Sequence, residues 1–134
     1  MGKNTFKEKV LEIVRSIPKG KIMNYGQVAL VIGFPRGAQA VGWSLHTIKE
    51  KDHVPWWRVV NKEGYISTSC STHTAIDQKS LLEKDGLIVK KMSVDLERHQ
   101  FWPSEKRLAK FKLSGQVAFR IEELSRKTDI NQSS

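Results

Sequence analysis

Apolar residues return at helical intervals three times in the first third of the chain. Phe6, Val10, Ile13, Val14 and Ile17 share one helical face. Thr5 and Glu8 stand at capping-box spacing, which satisfies two free N–H groups at a helix start. Pro18-Lys19-Gly20 stops this helix. Asn24 and Gln27 repeat the capping-box spacing ahead of Val28, Leu30, Val31 and Ile32, so a short second helix runs to Gly33. Gly33-Phe34-Pro35-Arg36-Gly37 has the composition of a tight turn. Ala38, Val41, Leu45 and Ile48 then mark a third helix.

Beyond the charged stretch Lys49–His53 the pattern shortens. Arg58-Val59-Val60 and Tyr65-Ile66-Ser67 flank the turn Asn61-Lys62-Glu63-Gly64, which predicts a small β-hairpin. Ser69–Thr74 reads as a polar loop. Ala75–Asp85 reads as a helix stopped by Gly86, with a short strand at Leu87-Ile88-Val89. A last helix is predicted over Gln116–Lys127, with Val117, Ile121 and Leu124 on one side, and Asp129–Ser134 is predicted to fray.

Two short helices joined by a glycine-containing turn outline a helix-turn-helix, and equally an ordinary helical hairpin. In the first reading the second helix enters a DNA groove, and the small residues Gly37, Ala38, Ala40, Gly42 and Ser44 permit close approach. The fold class predicted is mainly α: a winged-helix-like domain with a helix-turn-helix at 24–48 and a hairpin wing at 58–67. Residues 1–103 form that domain. Residues 104–134 form a basic C-terminal extension, partly helical, for which a DNA-backbone contact, a packing helix and a loose tail all remain open.

Charge sharpens this picture. The 134 residues carry 23 Lys and Arg against 14 Asp and Glu, a formal charge of +9. Of these, 7 basic and 4 acidic residues fall in 104–134, so the excess is not a tail effect. A basic balance favours phosphate backbones, although solubility alone also accounts for it. No apolar run approaches the ~20 residues needed to span a bilayer, and the first residues lack the apolar core of a signal peptide. A single cysteine, Cys70, excludes an internal disulfide and suits a reducing compartment. The four histidines and Cys70 show no zinc-ligand spacing.

Val54-Pro55-Trp56-Trp57-Arg58-Val59-Val60 is the least ordinary segment, because two adjacent tryptophans commit a large apolar area to one place. Together with Asn24-Tyr25-Gly26-Gln27-Val28-Ala29, Gly33-Phe34-Pro35, Ala40-Val41-Gly42 and the run continuing to Ser67, it falls in the order and spacing of a known family. The chain resembles the DNA-binding domain of the O6-alkylguanine-DNA alkyltransferases, and more closely the alkyltransferase-like proteins, over residues 5–103. The enzymes carry Pro-Cys-His-Arg-Val, in which the cysteine accepts the alkyl group. Here the acceptor position is Trp56, and indole forms no thiolate. Cys70 lacks that context. Trp57 occupies the position of the enzyme's histidine, and Asp85 that of its glutamate, where by itself it is only a carboxylate at a helix end.

The resemblance implies a non-enzymatic protein that holds duplex DNA by the minor groove and flips O6-alkylguanine out of the stack, since a base inside a duplex cannot be inspected on all edges. It assigns the phosphate-facing role to Tyr25 and the gap-filling position to Gln39, where the family has arginine. Arg36 either reaches a phosphate or is surface charge. The implied DNA-binding set is Tyr25, Arg36, Ala38, Gln39, Ala40 and Trp43. The implied lesion pocket is Pro55, Trp56, Trp57, Arg58, Val59, Tyr65 and Ser67. No metal or organic cofactor is implied. The expected partners are double-stranded DNA containing O6-alkylguanine and the nucleotide excision repair proteins, with the protein a monomer away from membranes, cytoplasmic and nucleoid-associated if bacterial and nuclear if eukaryotic. The competing expectation is a winged-helix regulator without lesion specificity.

Overall fold

The computed structural model describes residues 5–66 and 73–133. Helix α1 (Phe6–Arg15) starts at Thr5, whose hydroxyl accepts from the Glu8 N–H at 3.1 Å, and buries Val10, Leu11, Ile13 and Val14. Strand β1 (Met23–Asn24) leads directly into α2 (Tyr25–Val31), and α3 (Ala38–His46) follows across the predicted turn. These three helices meet on Val10, Ile13, Val14, Val28, Val31 and Val41, all fully buried. Each such side chain contributes about 1.5–3 kcal/mol on burial. The helix-turn-helix outline is therefore present, with α1 as its floor.

Among the described residues, the strand pairing of the predicted hairpin wing is not made; Ser67 of its second arm lies outside them. Strand β2 (Val59–Val60) pairs in parallel with β1, Met23 opposite Val59 and Asn24 opposite Val60. Both valines are fully buried, so they sit beneath the helices and not in an exposed wing. The return segment is drawn elsewhere. The Asn61 side chain accepts from the N–H groups of Glu63 and Tyr65 at 2.9 and 2.8 Å, which winds the chain into a tight turn. Ile66 then donates to the Met92 carbonyl and Tyr65 bridges to Ser93. Gly64 is essential there: at φ +88°, a Cβ would lie 2.3 Å from the Val94 carbonyl oxygen.

Helix α4 (Ala75–Lys84) ends ahead of Gly86 as predicted. The strand expected at 87–89 makes no ladder, because the chain reverses at once through Lys91 and Met92, both at positive φ, and Lys90 pairs with Ser93. Short helices α5 (Leu96–His99) and α6 (Glu105–Leu108) lead to α7 (Gly115–Ser133). Helix α7 runs past the predicted end at Lys127, and of the stretch expected to fray the described residues, 129–133, are helical. Its later turns are anchored: the Trp102 indole donates to the Thr128 hydroxyl at 2.8 Å, and the Gln132 amide donates to the Gln100 carbonyl at 2.9 Å. Leu108 and Ile121 join the same core as α1–α3, and Lys110 pairs with Glu12 of α1.

Candidate nucleic-acid interface and pocket

The start of α2 is fixed by a complete capping box. The Asn24 side chain accepts from the Gln27 N–H at 2.7 Å, and the Gln27 side chain accepts from the Asn24 N–H at 3.2 Å. Gln27 is buried and also accepts from Gln100, so the helix start is tied to the C-terminal part of the domain. Tyr25, the first residue of α2, packs half-buried against the core. Helix α3 turns Val41, Ser44 and Leu45 inward. Gln39, Ala40 and Trp43 are exposed on its other side, with Ala38 half-buried and Arg36 exposed in the preceding turn. The six residues assigned to DNA from the sequence thus divide between one helix start and one exposed helix face.

The tryptophan segment is a single 3₁₀ turn, Trp56–Arg58, closed by the Arg58 N–H donating to the Pro55 carbonyl at 3.1 Å. Several side chains hold it rigid. Arg58 grips Asp85 with two bonds, Nε to Oδ2 at 2.7 Å and Nη2 to Oδ1 at 3.1 Å, and donates through Nη1 to the Ile17 carbonyl at 2.9 Å. The Trp57 indole N–H donates to the same Asp85 oxygen at 3.0 Å. The buried Gln78 amide donates to the carbonyls of Trp57 and Val59. Burial works against charge on Asp85, but the bonds from Arg58 and Trp57 and the charges of Arg58 and Lys19 outweigh it, so its carboxyl lies below its ordinary range.

This turn forms one wall of a cavity of about 790 Å³, with Lys49, His53 and residues of α4 around it. Trp56 meets Trp57 edge to face, at 6.1 Å and 88°, and its own ring is stacked by His73 at 4.4 Å and 37°. Burial, then the charge of His46, lowers the pKa of His73 against a smaller opposing pull from Asp77. Pro55, Trp56, Trp57 and Arg58, four of the seven residues of the implied lesion pocket, therefore line one cavity. Val59 does not: it is fully buried in the core, and its backbone carbonyl serves Gln78. Tyr65 is 48% exposed and lies outside the lining. Ser67 and Cys70 lie outside the described residues. His73 and Gln78 went unrecognised in the sequence, and no local pattern marks either. Asp85 had one signal, a carboxylate at a helix end in a chain whose arginine follows two tryptophans.

One part of the cavity wall presents flat rings, the Trp56 indole, the His73 imidazole held toward its neutral form and the Pro55 ring, while Arg15, Lys49, Glu50, Asp77 and Lys84 line the rest. Indole is no acceptor for group transfer. Among the described residues, no group of three or more His, Cys, Asp or Glu side chains is placed to hold a metal ion, and no helix is long and apolar enough to cross a membrane.

Residues 5–87, spanning α1 to α4 and the cavity, match the family model of the 6-O-methylguanine DNA methyltransferase DNA-binding domain. The chain belongs to this family. Its relatives include an alkyltransferase-like protein and DNA base-flipping proteins. The chain is 35% identical to alkyltransferase-like protein 1 of Schizosaccharomyces pombe, over 70% of this chain and 87% of that protein. It is 34% identical to the DNA base-flipping protein of Escherichia coli, over 73% of this chain and 75% of that protein. The S. pombe protein in complex with damaged DNA containing O6-carboxymethylguanine superimposes with a TM-score of 0.68 at 30% identity, covering 77% of this chain and 98% of that one. In this alkyltransferase-like chain Trp56 and Trp57 stand together on the cavity wall.

Proposed function

We propose that this alkyltransferase-like chain is a DNA-lesion receptor. It binds duplex DNA through the start of α2 and the exposed face of α3, takes O6-alkylguanine into the cavity beside Trp56, transfers no alkyl group, and stays bound as a flag for nucleotide excision repair. One observation carries the reading: the cavity wall is a locked turn that opens on the indole of Trp56.

Each group has a task in this account. Extruding a base costs a few kcal/mol of stacking and pairing. The N–H groups at the start of α2 favour a phosphate, and Tyr25 beside them holds the backbone rotated. Trp56 offers a stacking surface to the extruded purine. Arg58 is committed to Asp85 and Ile17, so it positions the turn and does not contact the ligand. Trp57 spends its only donor on Asp85 and is left with ring faces and edges for the guest.

The experiment compares duplexes carrying guanine or O6-methylguanine at one position, with protein and lesion masses read after incubation. The expected result is tighter binding to the lesion duplex with both masses unchanged. Stoichiometric gain of a methyl group by the protein, or equal affinity for the two duplexes, would overturn the reading.

A further inference from the structure

An extruded base leaves a gap between neighbours that are otherwise stacked about 3.4 Å per step, and an empty gap invites the base to return. Gln39 is a short, uncharged side chain with a small stacking surface. One turn further along the same exposed face stands Trp43, at 64% exposure. Tryptophan is ordinarily well covered, yet its surroundings on α3 are bare. Ala40 and Gly42 are small, and a Cβ built on Gly42 meets nothing within 4 Å. Helical side chains lean toward the N-terminus, which carries the Trp43 indole over the turn that holds Gln39.

The position of Trp43 relative to the cavity also matters. Its ring meets His46 edge-on at 6.1 Å. The charge of His46 is felt at His73, and His73 stacks on Trp56. Trp43 and His46 at the C-terminal half of α3 therefore lie on the side of the domain that faces His73 and the cavity wall.

We propose that Trp43 occupies the space vacated by the extruded base, stacking its indole on the flanking bases. The inference rests on the lesion-receptor reading above. Aromatic rings stack on any base face, and apolar wedges hold base steps apart; both suit a task that needs no sequence preference.

The test uses the full chain and matched duplexes with guanine or O6-methylguanine. Trp43→Ala is expected to weaken lesion-duplex binding by about tenfold or more and undamaged-duplex binding by a clearly smaller factor, so that the ratio of the two affinities falls. Trp43→Phe should keep most of the affinity. With 2-aminopurine placed beside the lesion, emission should stay quenched in the saturated wild-type complex and brighten in that of Trp43→Ala. Trp43 is exposed, so the thermal melts of both variants should match wild type. Equal losses on the two duplexes, unchanged affinities, or equal 2-aminopurine emission would overturn the proposal. Loss of lesion preference in the wild type itself would overturn the lesion reading, and this inference with it.

Discussion

At the scale of single residues, Asp85 is the one on which the cavity wall depends. It receives three donated bonds, two from Arg58 and one from Trp57. Asp85→Asn keeps the shape but removes the charge that Arg58 pairs with, and is expected to cost about 1–3 kcal/mol at pH 7, read by urea unfolding. The pH dependence follows from the direction of the shift. The folded-state pKa lies below the ordinary 3.8, so the stabilisation is fully present above that value and is lost as pH falls through the folded pKa. The gap between wild type and Asp85→Asn should therefore shrink in melts taken below about pH 3.8. On the DNA side, Tyr25→Ala is expected to weaken lesion-duplex binding at least tenfold, since it removes the group that holds a costly rotation. Gln39→Ala should cost less, and Gln39→Arg should tighten binding to every duplex by adding a charge near the phosphates. Affinities of the three variants at one fixed salt concentration check this division of labour.

At the scale of elements, what the sequence revealed was what the chain decides locally. All three helices α1, α2 and α3 carry their own apolar stripes, and Thr5, Asn24 and Gln27 cap the first two, so these elements announce themselves within a few residues. The pairing of β2 is a different matter. Val59-Val60 and Tyr65-Ile66 look like hairpin arms, but the choice of partner is made by Met23, far back in the chain, and by the Asn61 side chain, which closes the turn before a hairpin can register. The cavity follows the same rule. Pro55 to Arg58 were legible because they are contiguous, whereas His73, Gln78 and Asp85 reach the turn only through folding. The locked 3₁₀ turn also bears on chemistry. Trp56→Cys restores a thiol, but Trp57 has no proton acceptor to offer, and Asp85 is already engaged. That thiol should keep its ordinary pKa of about 8.5 and react poorly. Single-turnover transfer from methylated DNA is expected to be absent or slow, and a fast burst would show that the turn leaves room for activation.

At the scale of the whole molecule, the C-terminal extension belongs to the packed body. Ile121 and Leu108 enter the main core, and Trp102, Thr128, Gln100 and Gln27 link α7 to the start of α2 by hydrogen bonds. Removing residues 115–133 uncovers Trp102 and the flank of α2, so the melting temperature should fall by several degrees, while the preference for lesion over undamaged duplex, which the lesion-receptor proposal assigns to α2, α3 and the cavity, should persist. Charge acts at this scale too. With +9 spread along the chain, log K for duplex DNA should fall with log salt by about 0.9 for each phosphate neutralised. A titration from low to physiological salt reads that slope, and a flat line would leave the basic surface without a role in binding.

The two-residue pairing of β1 with β2 has one more consequence. Asn24 is followed at once by Tyr25, and Val59 is preceded at once by the tryptophan turn, so two short ladder rungs clamp the presumed phosphate grip to the base receptacle. A nucleotide is itself a link of nearly constant reach from phosphate to ring. The ladder makes the protein a caliper set to that reach, and its jaws cannot drift apart without breaking backbone bonds in the buried centre of the molecule. Discrimination on the lesion-receptor reading would then reside partly in Met23 and Val59, two side chains that never meet DNA.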